Sequence, residues 1–373
     1  MITFFLVLGI IIGICGVIQP RLRNLCGGIA FLTLYLAIAF NNGNVDYNAY
    51  VRNYDSGVFE HEGLFSFLEL ISKNFGLSYA QFVFFIVTIS FLLIWITIKK
   101  LNINTAAFCI LYFFYPFCLD VIQIRNLLAY SIIFYAFLWL IEGDRKGKIK
   151  YAIAVLIAST IHFSSIVYLS ILLYEFIKNS KKIRIAYATL TAVFIISTLN
   201  VGVLRNYLTI FQTYVYKYTS DTRVFEMAIG DVGERGYIIF YAIHFTLIAL
   251  QLICLNDINK QEENVLNFTK GIVVDTTTAK RYIELVFWMG IVLTIFIPLY
   301  RFQATLFRIT RNLMLMNYSG LLVYCRSSIK KNKSLILSVL LVAIVAFMFW
   351  FEIYRGINKD LIFDAIFENN WLN

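Results

Sequence analysis

The chain has 373 residues, of which 60% are hydrophobic and 14% charged, with a net charge of +10 at pH 7 and a mean hydropathy of +0.76. Runs of about 18 or more nearly uncharged residues recur from end to end, each long enough to cross roughly 30 Å of hydrocarbon. A soluble domain is excluded, and the basic balance reads as orientation in a membrane, not as nucleic-acid binding. The cysteines (Cys15, Cys26, Cys109, Cys118, Cys254, Cys325) form no CxxC and suggest neither a disulfide framework nor a thiolate metal site. The first apolar run has no basic leader and no small-residue cleavage site, so it reads as a retained helix.

In chain order, membrane spans are expected at roughly 2–19, 25–41, 79–98, 105–119, 122–141, 184–200, 236–255, 282–300, 302–325 and 334–351. The stretch 151–177 is too long for a short span and too short for two full ones. Arg145, Lys146, Lys148 and Lys150 precede it, and Lys178, Lys181, Lys182 and Arg184 follow. The positive-inside rule places both flanks in the cytoplasm, so the stretch should go in, break and return. "STIHFSS" marks the break, because Ser and Thr can satisfy freed backbone groups. Reading 151–177 as one tilted helix would divide the Lys and Arg almost evenly between the two sides. The hairpin reading puts most of them inside. The expected fold is all-α and polytopic, with about twelve transmembrane helices including the broken hairpin, in a single transmembrane domain over 1–373. Outer loops 42–78 and 201–235 would line an outward-facing cavity. Inner loop 256–281, polar and near neutral, is a candidate for mobility.

In the outer segment 42–78, Asp46, Asp55, Glu60 and Glu62 lie among Tyr47, Tyr50 and Tyr54. Carboxylates can hold sugar hydroxyls and rings can cover a sugar's apolar face. A solvated polar loop is the plainer alternative. "LFSFLELISKNF" follows with a helical apolar face and Glu69 and Lys73 at i,i+4, which suits an interfacial helix.

Arg125, in "DVIQIRNLLAYS", falls about one turn into a helix that starts at the outer face, with Asp120, Gln123 and Asn126 nearby. An ionisable group at membrane depth is costly unless it faces a cavity or a partner. The plainer reading is an arginine that snorkels to headgroups beside Asp120. Asp120 and Gln123 also extend the polar set that could meet a sugar. His162, at the expected break, sits about 16 Å of helix beyond Tyr151 and suits acid/base work. A hydrogen-bonded structural histidine is the competing reading, and the preferred one for His244. His61 reads as solvated.

Arg301, Arg308 and Arg311 are separated by steps of seven and three, which places them on one face of an uninterrupted helix. Arginine forks suit phosphate oxygens, and two or more can grip a diphosphate. A voltage-sensor stripe would repeat every third residue, and this one does not. There is no DxD, HExxH, P-loop or GxSxG, and three scattered histidines give no metal site, so neither metal nor cofactor is expected.

Four segments in order resemble the EpsG family, the Wzy-type polymerases of exopolysaccharide, capsule and O-antigen. They are "DYNAYVRNYDSG" with Asp46, Tyr47 and Tyr50; "FEHEGLFSFLELISKNFG" with Glu62 and Gly63; "DVIQIRNLLAYSI" with Arg125 and Ala129; and "IASTIHFSSIVYL" with His162, Ser164 and Ser165. They cover about residues 40–175. The resemblance implies a GT-C-like glycosyltransferase in the bacterial cytoplasmic membrane. It would join undecaprenyl-diphosphate-linked oligosaccharide units, donor and acceptor, on the outer side. Its other partners would be membrane lipids, a chain-length regulator and a flippase. On this reading Arg125, Arg301, Arg308 and Arg311 bind diphosphate. His162, Asp46 or Glu62 activates the acceptor hydroxyl, and Tyr47, Tyr50, Tyr54, Asp120 and Gln123 meet sugar. A transporter of an anionic lipid-linked glycan would share the arginines but more often carries an inverted repeat, and none is visible. A membrane acyltransferase using His162 as base would draw its donor from the cytoplasm, whereas the candidate residues gather outside.

Overall fold

The computed structural model describes residues 2–44, 46–57, 63–199, 206, 209, 237–265, 273–301, 304–328, 330–355 and 359–368. Over these the chain is all-α, with about 16 helices. They are α1 (Ile2–Ile18), α2 (Arg23–Ala39), α3 (Tyr47–Ser56), α4 (Leu64–Asn74), α5 (Tyr79–Lys100), α6 (Thr105–Phe114), α7 (Phe117–Ile122) and α8 (Ile124–Ala136). There follow α9 (Arg145–Ile161), α10 (Tyr174–Asn179), α11 (Lys181–Leu199), α12 (Tyr237–Val265), α13 (Val273–Leu293), α14 (Arg308–Ser327), α15 (Lys331–Met348) and α16 (Ala365–Glu368).

Among the described residues, five helical stretches are long and apolar enough to cross a membrane: Pro20–Ala39, Tyr79–Lys100, Tyr237–Lys260, Thr277–Arg301 and Lys331–Tyr354. These stretches and their neighbours carry apolar side chains on the outside: Phe85, Leu92 and Ile336 within them, and Ile11 and Ile196 in α1 and α11, are each more than half exposed. Repeated along helix after helix, such a surface suits hydrocarbon and not water, the mark of an integral membrane protein. Shorter apolar helices lie at Phe5–Ile18, Thr105–Phe114 and Ile124–Leu140; the described residues do not show the twelve spans expected, and at two places the backbone departs from a plain span. The span expected at 105–119 is cut at Pro116, which has no N–H to continue a helix; Tyr115 is extended (φ −164, ψ 127) between α6 and α7. Gln123 (φ −106, ψ 57) then separates α7 from α8, so Arg125 is the second residue of its helix. The expected spans 282–300 and 302–325 are not plain helices at their junction. After α13 the chain tightens into 3₁₀ turns at Thr294–Arg301, with Pro298 inside, and at Ala304–Phe307.

The chain divides into two compact units: Met1–Ile166 with Cys254–Ile283 and Met314–Asn373, and Val167–Ile253 with Glu284–Leu313. In the first unit α1 and α2 form a close hairpin turned at Pro20. A Cβ on Gly9 would lie 2.2 Å from Thr33 Oγ1 and one on Gly16 2.6 Å from Cys26 Cβ, so small residues allow the approach. Local signals set the helix starts. Ser78 and Gln81 form a reciprocal cap on α5, Asn104 accepts from two amides of α6, and Asp144 accepts from Gly147 N on α9. Helix α8 packs against both α5 and α9. The C-terminal residues, for which the sequence suggested nothing, return to the same unit. Asn41 Nδ2 donates to the Ile366 carbonyl at 3.4 Å, and Tyr115 donates its hydroxyl to Glu352.

In the second unit His244 joins three elements. One ring nitrogen bonds the Gly290 carbonyl at 3.0 Å and the other Thr310 Oγ1 at 2.8 Å. That is the structural role the sequence suggested. Tyr187 donates to the carbonyls of Ile291 and Val292, where α13 gives way to the 3₁₀ turn, and Phe240 stacks on Phe307. The inner loop expected at 256–281 is largely helical: α12 runs to Val265 and α13 starts at Val273. Residues 266–272 lie outside the described residues, as does the expected outer loop 201–235 apart from Asn206 and Thr209.

Candidate functional site

The segment 42–78, expected on the outer side, carries two helices among its described residues, α3 and α4. Helix α3 sets alternate tyrosines against the start of α5. The Tyr47 and Tyr54 rings lie edge-on to Tyr79 at 5.5 and 5.7 Å, and Tyr54 stacks on Phe82 at 5.8 Å. The Tyr54 hydroxyl donates to the Leu77 carbonyl at 2.9 Å. Both residues are buried, so their rings serve packing. Tyr50, stacked on Tyr79 at 6.3 Å, keeps part of its ring exposed. Asp46 is exposed at the head of α3. Glu60, His61 and Glu62 lie outside the described residues.

Gly63 fixes where α4 begins. Its backbone (φ 91, ψ −151) occupies a region that is essentially glycine's alone. A Cβ there would lie 2.3 Å from the Thr160 carbonyl oxygen, in the last turn of α9. Gly63→Ala therefore meets backbone strain, of order 1–3 kcal/mol, together with a backbone clash. The variant is expected to melt several degrees below the wild type by differential scanning fluorimetry, and an unchanged melting curve would show that α4 is not pinned there.

The same turn of α9 ends at His162. Ser159 and Thr160 donate to the carbonyls of Leu156 and Ile157, and the His162 N–H reaches Ala158 O at 2.9 Å. His162 itself is extended (φ −144, ψ 108), and a 3₁₀ segment, Phe163–Leu173, follows. The break thus falls where the sequence places it; the hydroxyls of Ser159 and Thr160 bond back to carbonyls within the last turns of α9. The half-buried imidazole holds Ser164 Oγ through Nδ1 at 2.8 Å.

At the second residue of α4, Phe65 lies under the Arg125 guanidinium, 5.9 Å from ring centre to Cζ. Arg125 is half-buried, and among the described residues it makes no hydrogen bond and no ion pair. Glu69, four residues after Phe65, is 4% exposed, and its Oε2 is buried without a hydrogen bond. Helix α4 lies outside the spanning stretches. Burial raises the Glu69 carboxyl to about 7, and the positive charge of Arg125 holds it from rising further. The i,i+4 pairing expected between Glu69 and Lys73 does not occur. Lys73 reaches across to the Asp55 carbonyl at 2.7 Å, while Glu69 turns inward. Asp120 is also inside, accepting from the Tyr112 hydroxyl at 2.9 Å, and Gln123 is half-buried at the joint before α8. Helix α4 thus meets α8 at Arg125, α9 two residues before His162, and, through Lys73, α3.

Within the second unit, Arg301, Arg308 and Arg311 are not on one continuous helical face. Arg301 ends the 3₁₀ turn after Pro298 and Arg308 begins α14, so the seven-residue step carries no helical register. The three-residue step does hold, since Arg308 and Arg311 share the first turn of α14. Arg311 is 3% exposed. Arg301 lies over Tyr237, with Cζ 4.9 Å from the ring centre, and donates to its hydroxyl at 3.1 Å. Two guanidinium groups at a helix amino end suit an anion, because the helix dipole and the arginine forks act in the same sense. Among the described residues no group of three or more His, Cys, Asp or Glu side chains could hold a metal ion.

The described residues thus place arginines at two helix starts, α8 and α14, with a buried carboxyl group beside the first. The chain belongs to the EpsG family, whose description matches residues 24–363, and so is a membrane protein linked to exopolysaccharide biosynthesis. No curated protein and no solved structure matches it. Glu69 is the residue that sequence reasoning passed over as a site. Its only signal was an acidic residue within an otherwise apolar helical repeat, and the lysine four residues on offered a simpler explanation.

Proposed function

We propose that the protein is a polymerase that joins oligosaccharide units carried on a lipid diphosphate, acting on the outer side of the cytoplasmic membrane. The observation that carries this reading is Arg125, a half-buried guanidinium supported by an aromatic ring and making no hydrogen bond or ion pair among the described residues. The charge set against it is Glu69, whose raised carboxyl is only partly ionised near neutral pH and so leaves the guanidinium able to meet a further anion. The leaving group of the donor is a lipid diphosphate, whose charge grows as the glycosyl bond breaks. A fixed guanidinium stabilises that charge where a divalent metal would otherwise act. Arg308 and Arg311 supply a second pair of forks for diphosphate in their own unit, with Arg301 nearby in sequence. The acceptor is a sugar hydroxyl that must lose its proton. Glu69 joins His162, Asp46 and Glu62 as a candidate base and is favoured among the described residues, because its burial keeps the carboxyl basic enough to work near neutral pH. Tyr50 and Gln123 remain candidates for contact with sugar, whereas Asp120, like Tyr47 and Tyr54, is buried in packing.

The test is an incubation of the purified protein in nanodiscs with undecaprenyl-diphosphate-linked repeat units from the neighbouring pathway of the same organism, without metal or nucleotide. A ladder of lipid-linked oligomers on a gel is expected. Movement of the units across a vesicle membrane with no ladder would replace the polymerase with a transporter.

A further inference from the structure

The far end of the first unit holds a cavity of about 540 Å³ that none of the foregoing chemistry uses. It lies beyond the last turn of α5, whose 22 residues rise about 33 Å from the Tyr79 end where α3 packs. Three turns meet there, contributing Arg23, Asn102 with Asn104, and Arg326 with Lys331; in the expected order of spans all three fall on the cytoplasmic side, opposite the outer loop 42–78. Among the described residues no Asp or Glu lines it. Its remaining wall is largely aliphatic, with Ile110, Leu322, Leu335 and Val342.

The cations around this cavity divide into two groups. Lys330 and Lys333 are spent on Asp257, a buried carboxylate, at 3.4 and 2.8 Å. Arg326 donates to the carbonyls of Leu101 and Asn102 and so closes the end of α5. Arg23 and Lys331 are exposed and make no ion pair among the described residues. The amino end of α15, beside Lys331, has no side-chain cap. A positive rim over an aliphatic trough matches one kind of molecule, with a single anionic phosphate at one end and hydrocarbon at the other.

We infer that this cavity is a binding site for an anionic glycerophospholipid of the cytoplasmic leaflet, its phosphate held by Arg23 and Lys331 and the start of its acyl chains laid along Leu322, Leu335 and Val342. The inference rests on the membrane class of the protein and not on the polymerase reading. Native mass spectrometry of the full chain, exchanged through micelles containing phosphatidylglycerol or phosphatidylcholine, tests it. The wild type is expected to retain phosphatidylglycerol with a preference of about tenfold or more. The Arg23→Gln/Lys331→Gln variant is expected to lose that preference. Leu335→Trp, at an exposed wall position, is expected to lose the lipid with the charges intact, which keeps the test open should the double variant fail to fold. Equal retention of the two lipids, or unchanged retention in a folded double variant, would overturn the site. Displacement by millimolar inorganic phosphate would also overturn it, by reducing the site to one for phosphate alone.

Discussion

Arg125→Gln is expected to lower polymer formation by about 10²–10³-fold, the usual cost of removing one preorganised group that meets charge developing in a transition state. The protein should nevertheless reach the membrane in normal amounts. Among the described residues Arg125 makes no hydrogen bond or ion pair; it lies over Phe65 and its charge favours the Glu69 carboxylate, which can take up a proton in its absence, so little stability leaves with it. That separation gives the variant its value, because loss of polymer with normal abundance and an unchanged melting curve cannot be attributed to misfolding. Arg125→Lys should recover only part of the activity, since an ammonium restores the charge but not the two-pronged geometry suited to phosphate oxygens. Polymer yield is read by gel from cells and from purified protein. Wild-type yield in Arg125→Gln would remove the arginine from the mechanism, and with it the main support for a diphosphate at that place.

Membrane character was legible throughout, because composition alone decides it, and helix starts were legible wherever a capping residue marks them, as at Ser78, Asn104 and Asp144. The break at His162 was also visible, since flanking charge and hydroxyl content both report on it. What hydropathy does not register is a helix interrupted without loss of apolar character. Pro116, Gln123 and Pro298 sit in sequence as greasy as its surroundings, so 105–119, 122–141 and 282–300 read as plain spans when each contains a joint. The misplacement of Arg301 follows from the same cause, because a face argument requires one continuous helix. Within the site, Arg125 stood out as a charge in an apolar run. Glu69 did not, because a helical i,i+4 partner is a sufficient local explanation for a glutamate. Only the packing of α4 shows that Lys73 turns to α3 and leaves the carboxylate inside. The pairing of Gly63 with Thr160 spans about a hundred residues of sequence and is set by tertiary contact, to which no local pattern points.

Glu69→Gln should produce the second large effect, and its signature lies in pH. The Glu69 carboxyl is raised from its ordinary 4.5 to about 7. A group that must be ionised to accept a proton then gives a rate that climbs as pH rises through about 7. Glu69→Gln is expected to lose about 10²–10⁴-fold in rate and to flatten that limb of the profile. In Arg125→Gln the midpoint of the residual activity should move upward, because the positive charge that favours the carboxylate is gone. Stability should respond in the opposite direction to rate. A raised acid binds its proton more tightly when folded, so its contribution to stability is fully present below about 4.5 and is lost as pH rises through about 7. Wild type and Glu69→Gln should therefore melt together near pH 4, with the variant the more stable of the two above pH 7. The melting series needs no substrate and so stands apart from the assigned reaction. Parallel melting curves from pH 4 to 8 would place Glu69 in contact with water, and a pH–rate limb that survives in Glu69→Gln would pass the role of base to His162, Asp46 or Glu62.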